Sequence, residues 1–450
     1  MSLSAIVLAA GHGTRMKSEK PKVLHEILGK PMIRWAVDSL ICAGVSKVVS
    51  VLGFKSDEVA PFVTDDTEII IQENMAGTGD AVKCARKALE GMSGSVLVTY
   101  GDCPLITSNT LIELVELREE KDLACAILTM ELDDPFGYGR IIRDESGHIV
   151  KNIEEKDTTP EQSLIKECNT GFYCFDAELL FDALDKIDNN NAQGEYYLTD
   201  IIEVFTNNDK QVDSLKLEDV DEALGVNDRV QLSNATKILQ NRINTKHMLN
   251  GVSLWSPETT YIGPDVEIDQ DVEIYPQVIL TGNTKIGAGT VIGANTRLEN
   301  VNIGKNCVID ETIGFDSIVE DGASCGPRCY LRPGAHICEN AKAGTCVEIK
   351  KSVIGKGSKV PHLSYIGDCE IGEGVNLGAG TITCNYDGEN KHKTKVGNDT
   401  FVGSSTMLVA PVELGDHVLV AAGSVITDDV PDDTLAFGRA RQTNKVGRNK

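Results

Sequence analysis

The chain has 450 residues, 41% hydrophobic and 25% charged, a globular composition that at about 150 residues per domain allows two or three domains with full cores. Its 43 Lys and Arg stand against 68 Asp and Glu, a net charge of −25, which argues against nucleic acid as a partner because phosphate backbones select basic faces. Any polyanionic substrate has to be held by a few locally placed cations.

No apolar run approaches the roughly 18 to 20 residues of a membrane span. The 13 cysteines are scattered singly without a Cys-x-x-Cys pair, so neither a disulfide framework nor a zinc knuckle is indicated. The expected compartment is the cytoplasm, with reduced thiols.

Over residues 1–227, apolar stretches at 5–10, 47–52, 68–71 and 96–99 alternate with longer amphipathic stretches such as 33–43 and 81–89. That alternation predicts an α/β domain with a mostly parallel sheet. The first strand runs into Leu8-Ala9-Ala10-Gly11-His12-Gly13-Thr14-Arg15-Met16, followed by Pro21-Lys22. A glycine-rich turn after a parallel strand lets backbone amides approach phosphate oxygens. Arg15 can fork onto such oxygens, and Lys22 adds a compact point charge. No Gly-Lys-Ser/Thr closes a Walker loop, and the third glycine of the dinucleotide fingerprint is missing.

Near-helical spacing of Val230, Ala235, Ile238, Leu239 and Ile243 predicts a linker helix over 228–250. Beyond it, Ile262, Ile268, Ile274, Leu280, Ile286, Ile292 and Leu298 recur every six residues, as do Val396, Val402, Leu408, Leu414, Val420 and Ile426. In-phase runs at Ile337, Ala343 and Ile349, and at Ile354, Val360 and Ile366, lie between them. Six fits a short strand with one inward aliphatic followed by a corner, and three such units close a triangular coil of 18 residues, stacked on its neighbours at about 4.8 Å. The solenoid spans 251–437. From Thr434 onward no acid occurs, while Arg439, Arg441, Lys445, Arg448 and Lys450 do. This basic tail over 438–450 fits a phosphate-rich cofactor and equally fits a solvated terminus.

Corners of this solenoid carry reactive residues: Leu331-Arg332-Pro333-Gly334, Glu348-Ile349-Lys350-Lys351, His362-Leu363-Ser364-Tyr365, Asn376, and Thr381 to Gly388. A solenoid without a site has interchangeable corners. The run from Cys384 to Lys395 is too long for a corner, so it is an excursion, and excursions from repeats build sites.

The period-six array resembles the hexapeptide-repeat acyltransferases, which implies a left-handed parallel β-helix and a homotrimer. The glycine string resembles the signature of sugar-nucleotide pyrophosphorylases, whose head is a Rossmann-like nucleotidyltransferase domain. Gln72 with Gly77-Thr78-Gly79 looks like that family's base-reading segment, and Tyr100-Gly101-Asp102 like its metal-binding segment. Across essentially its whole length the chain resembles bacterial enzymes that join both folds, the N-acetylglucosamine-1-phosphate uridyltransferase/glucosamine-1-phosphate acetyltransferases. His12 and Asp80 depart from that pattern, where Lys and His are usual.

The resemblance implies that Leu8, Ala9, Ala10, Gly11, Lys22, Gln72, Gly77 and Thr78 bind UTP. Tyr100, Gly101, Asp102, Gly139, Glu154, Asn169 and Asn227 would bind the sugar, and Asp102 and Asn227 would hold Mg2+. Uridylyl transfer joins two polyanions, the attacking phosphate being already an anion, so Lys22 and Arg15 stabilise charge in place of a base. Acetylating an amine needs a proton acceptor that titrates near neutrality, for which His is the usual choice, and the resemblance to the acetyltransferases makes His362 the candidate. Glu348 is a candidate to orient it, Arg332 and Lys350 to hold the sugar phosphate, and Tyr365, Asn376, Asn385 and Tyr386 to fix the sugar. The same resemblance implies acetyl-CoA along Ala379, Ser404 and Ala422, with Arg439 on its phosphates.

Two other readings stay open at this level. One is a single-activity sugar nucleotidyltransferase whose β-helix serves assembly or regulation; the other is a non-catalytic scaffold built from the same two folds.

Overall fold

The computed structural model describes residues 2–191 and 193–447; Arg448 and Lys450 of the basic tail lie outside the described residues. Two compact units, Met1–Leu239 and Gln240–Lys450, divide the chain, and the division falls inside the helix Arg229–Leu249.

In the first unit, strand Leu3–Ala9 is apolar but for the buried Ser4 because both its faces are covered. It pairs in parallel with Lys47–Leu52 and Ser95–Tyr100, and Glu68–Ile71 pairs in parallel with Lys47–Leu52. Beyond Ser95–Tyr100 the sheet changes sense: Glu167–Asp176 runs antiparallel to it and to Cys125–Glu131. The sheet is therefore mixed rather than mostly parallel. Between Cys125–Glu131 and Glu167–Asp176 the chain makes an antiparallel hairpin, Arg140–Arg143 with Ile149–Ile153, and no crossover helix, which leaves an antiparallel return open to it.

Helices Met32–Cys42 and Ser108–Glu120 cover one face through Ile33, Val37, Leu40, Leu111 and Leu114. Thr78–Cys84, Ala177–Leu184 and Ile201–Thr206 cover the other through Ala81, Leu180 and Ile201. The predicted helix over 81–89 is shorter, ending at Cys84 before a 3-10 turn at Arg86–Leu89. The three central parallel strands end along one edge of the sheet, and the loops after them, at Ala10, Gly53 and Gly101, converge there through Phe54 N to Ala10 O (3.1 Å) and Gly101 N to Leu8 O (3.0 Å).

The second unit is a parallel β-helix. Ile262 pairs with Leu280, eighteen residues on, Ile286 with Ile303, seventeen on, and Ile309 with Cys325, sixteen on, so the repeat closes one coil in 16 to 18 residues. The period-six aliphatics form one buried column, with only Ile268 less than fully enclosed. Where the excursion enters, Ile371 pairs with Val396 and Leu377 with Val402: the coil keeps its register and extrudes the extra residues. Buried hydroxyls knit successive coils together. Thr400 Oγ1 donates to Gly415 O at 2.9 Å and accepts from Val418 N at 3.1 Å, and Ser358 does the same with Gly372 O and Val375 N. Backbone groups that a corner withdraws from the ladder are thereby satisfied.

Candidate active sites

In the first unit a cleft of about 380 Å³ opens at the C-terminal edge of the parallel strands. Leu8, Ala9, Ala10, Gly11, Arg15, Lys22, Gln72, Gly77, Thr78, Tyr100, Asp102 and Asn227 all line it, so residues separated by more than two hundred positions meet as expected. Gly13 makes the turn at φ +66°, and a Cβ there would lie 2.4 Å from Lys22 Cβ; the glycine is what admits Lys22 to the loop.

Lys22 Nζ ion-pairs with Asp102 Oδ2 and donates to Asn227 Oδ1 at 2.7 Å. Arg15 Nη2 donates to the same amide oxygen at 2.8 Å. Asn227 is held in turn by its backbone N–H bonding Gln231 Oε1 at 2.7 Å, a support the sequence reading missed. One carboxylate oxygen and one amide oxygen thus converge on a single cationic position, a hard-oxygen pair of the kind Mg2+ accepts while keeping several waters. The donor set fits the metal.

A second cleft of about 510 Å³ adjoins the first and shares Arg15, Tyr100, Asp102 and Asn227 with it; Tyr138, Thr170 and Gly225 line its far side. Two openings that meet on the same cations and carboxylate suit two phosphate-bearing ligands. Gly101 lines neither cleft, but packs beneath them, its Cα facing Ala9 and Ile33.

Gly139, Glu154 and Asn169 also stand apart from both linings. Gly139 O accepts from Asn169 N at 2.9 Å, and the Asn169 amide is engaged by Tyr173 Oη at 2.5 Å and Gly171 N at 2.9 Å, so this chain gives Asn169 a supporting place under the neighbouring Thr170. Glu154 faces a separate cavity and accepts from Asn152 Nδ2 at 2.9 Å and Thr199 Oγ1 at 3.0 Å. Burial raises its pKa against those two bonds.

In the second unit, backbone hydrogen bonds align one corner of successive coils: Leu363 N to Thr345 O, Gly380 N to His362 O, Ser405 N to Ala379 O, and Gly423 N to Ser404 O. Thr345, His362, Ala379, Ser404 and Ala422 therefore form one vertical stack, with the exposed imidazole of His362 among the three positions expected for acetyl-CoA. Arg439 leans on it, its Cδ 3.8 Å from where a Gly423 Cβ would be.

Around the next strands, Lys350 Nζ pairs with Asp368 Oδ2 at 3.1 Å, and Asn385 Nδ2 donates to the same oxygen at 2.5 Å. Burial would raise Asp368, but the Lys350 ammonium and the Asn385 amide outweigh it and hold the carboxyl below its ordinary range. Tyr365 Oη and Asn385 Nδ2 both close over Gly367, 2.5 and 2.8 Å from the position of a Cβ. Lys350, Tyr365 and Asn385 are thus brought together.

Three of the expected residues make other contacts. Glu348 Oε1 takes Arg332 Nη1 at 2.9 Å and makes no hydrogen bond to His362, because the strands Glu348–Lys350 and Lys359–His362 belong to different sheets of the prism. Asn376 joins Thr400 O through its backbone, and its side chain makes no hydrogen bond to the Lys350 cluster among the described residues. Tyr386 Oη bonds Gly388 O within its own loop at 2.5 Å. Asp368 and Lys391 were missed. The excursion folds as a tight hairpin with Tyr386 opposite Lys391, which sets Lys391 beside Lys350, whose ammonium holds it below the ordinary lysine range. The basic run Lys391-His392-Lys393 was the available signal.

Among known proteins, residues 5–165 match the MobA-like NTP transferase domain. Residues 393–428 match the bacterial transferase hexapeptide (six repeats), and 283–311 the hexapeptide repeat of succinyl-transferase. A "Bifunctional protein GlmU" of Listeria monocytogenes is 47% identical over 446 residues, covering 99% of this chain and 98% of its own length. Proteins of that name from Halalkalibacterium halodurans and Streptococcus agalactiae are each 46% identical, over 98% and 99% of this chain and 97% of their own lengths.

Proposed function

This chain belongs to the bifunctional GlmU family, and on that premise we propose which of its residues carry the family's two transfers, acetylation of glucosamine 1-phosphate and uridylylation of the product to UDP-N-acetylglucosamine. The observation that carries the reading is the pairing of two built sites. Lys22 bridges Asp102 and Asn227 under a glycine turn in one unit, and His362 shares a corner stack with Ala379 and Ser404 in the other.

In the acetyl transfer, the amine of glucosamine 1-phosphate attacks the thioester carbonyl of acetyl-CoA. The N–C bond forms, the C–S bond breaks, and His362 takes the amine's proton and passes it to the departing sulfur, so coenzyme A leaves as the thiol. Arg332, Lys350 and Lys391 supply the positive charge for the sugar phosphate, and Tyr365 and Asn385 the hydrogen bonds for the ring. A β-helix that served assembly alone would need no imidazole on that stack.

In the uridylyl transfer, an oxygen of N-acetylglucosamine 1-phosphate bonds to the α-phosphorus of UTP as the bond to pyrophosphate breaks. Lys22 and Arg15 lie where negative charge builds on the phosphates. Asp102 and Asn227 hold Mg2+, which when bound neutralises phosphate charge.

The chain works as a homotrimer in the cytoplasm. Exposed Ile279, Val308, Ile313, Ile318, Val353, Leu419 and Val425 on the prism support its packing against copies of itself, and no helix among the described residues is long and apolar enough to cross a membrane. The test is one purified chain assayed twice, for thiol release from acetyl-CoA with glucosamine 1-phosphate and for pyrophosphate release from UTP with N-acetylglucosamine 1-phosphate. Absence of either activity overturns the two-site reading.

A further inference from the structure

Away from both sites, the β-helix brings together three side chains of different chemistry. Glu320, His336 and Cys338 present a carboxylate oxygen, a ring nitrogen and a sulfur that all lie within 4.8 Å of one another. His336 Nε2 is 2.6 Å from Glu320 Oε1. The scaffold fixes this arrangement. His336 and Cys338 flank Ile337, which is fully buried in the column, so both point to the outer side of one strand. Glu320 follows Val319, which pairs with Ile337 across the rung, and its own N–H bonds Ile337 O at 2.8 Å. All three backbones are thus locked by rung hydrogen bonds before any ligand arrives.

We propose that Glu320, His336 and Cys338 form a zinc-class transition-metal site that staples two successive coils of the β-helix. Cysteine sulfur, imidazole nitrogen and a carboxylate oxygen are the donor types zinc prefers, and three protein ligands leave a fourth position for water. His336 and Glu320 are half-exposed, 33% and 41%, so solvent reaches that position. Zinc bonds of about 2.0 to 2.3 Å set tetrahedral ligand atoms about 3.3 to 3.7 Å apart, a spacing bracketed by the present ones, 2.6 Å between His336 and Glu320 and at most 4.8 Å across the three. The other Glu320 oxygen is anchored by Glu339 N at 2.9 Å, and the Glu339 carboxylate is occupied by Lys356 at 2.8 Å, so Glu339 orients the site without entering it.

The full-length protein, stripped of metal by chelator dialysis, is titrated with Co2+ and then Zn2+. The expected result is a thiolate-to-cobalt charge-transfer band saturating at one equivalent per chain and displaced by Zn2+, with zinc raising the melting temperature. The oxygen donors Asp102 and Asn227 give no such band, so this readout stands apart from the magnesium reading. Cys338→Ser is expected to lose the band and the zinc-dependent melting shift while keeping both transfer activities. His336→Asn, with the thiol intact, is expected to lose them as well. No band in the parent protein, or a band undiminished in both variants and therefore due to other thiols such as the exposed Cys42 and Cys346, overturns the proposal.

Discussion

Gln72 Nε2 donates to Asp80 Oδ2 at 2.7 Å and to the Gly77 carbonyl at 3.3 Å, so an amide lining the cleft proposed for UTP is aimed by a carboxylate. Asp80, a departure from the family pattern, here positions Gln72. Asp80→Ala frees the amide. The expected outcome is a KM for UTP raised about tenfold at nearly unchanged kcat, the signature of a lost ground-state contact. Asp80→Asn keeps an acceptor and stays near the parent value. Initial rates of pyrophosphate release against UTP concentration decide it, and an unmoved KM in Asp80→Ala refutes the positioning role.

Lys22 ties Asp102 and Asn227 into one group. Removing its charge takes away one of the two cations proposed for the phosphates, so Lys22→Ala is expected to lower kcat for pyrophosphate release about 10²- to 10³-fold. Lys22→Arg is not expected to restore it, because a planar fork cannot sit between two oxygens as a point charge does. Asp102→Asn removes the hard anionic ligand and is expected to raise the Mg2+ concentration for half-maximal rate. Thiol release should be unaffected in all three, and parallel loss of both activities would show that the sites are not separate.

His362 stands on the corner stack with no side-chain hydrogen bond among the described residues. A base of this kind contributes about 10²- to 10⁴-fold, the loss expected for thiol release in His362→Ala with pyrophosphate release intact. The residual rate should climb with pH, since the free amine then forms without an internal base. A variant retaining full thiol release would remove His362 from the chemistry.

What the sequence made legible follows from what each feature needs. The glycine string could be read because close backbone approach to phosphate restricts residue type, and the solenoid because each coil repeats the same inward position. Asp368 and Lys391 were not legible: their place depends on where the coil with 25 residues resumes register, Ile371 meeting Val396, which no period announces. Glu348 meets Arg332 because Tyr330 and Glu348 are opposite each other on neighbouring strands, a register that spacing alone does not announce. The antiparallel strand Glu167–Asp176 was hidden because its apolar content is the same whichever way it runs. Glu320, His336 and Cys338 become neighbours only through the rung register.

Asp200 lies beside Glu154 and Asp188 in the head, and burial, with those two carboxylates, pushes its pKa up to about 6. In the unfolded chain an Asp titrates near 4. Between those values the folded state binds more protons than the unfolded one, so stability falls as pH rises through the window from about 4 to about 6. Asp200→Asn removes this titration. The expected outcome, by thermal denaturation at a series of pH values, is a smaller decline in head stability across that window and a higher melting temperature than the parent above pH 6. Parallel pH profiles for the two proteins would show that Asp200 does not carry the effect.

Gly378 ends the strand step just before Ala379, and a Cβ there would lie 2.4 Å from Ser404 N and 2.7 Å from Gly403 C. Both are backbone atoms of the next coil, so no rotamer change can make room; the coils have to separate. Overpacking of this kind costs about 1 to 3 kcal/mol. Because the displaced atoms belong to the same stack as His362, Ala379 and Ser404, the strain falls on the proposed acetyl-CoA groove. Gly378→Ala is therefore expected to lower the denaturation midpoint of the β-helix and to raise the KM for acetyl-CoA, while the KM for UTP stays at the parent value. If stability falls but the acetyl-CoA KM does not move, the thioester lies along some other face of the prism, and Ala379, Ser404 and Ala422 are packing positions only.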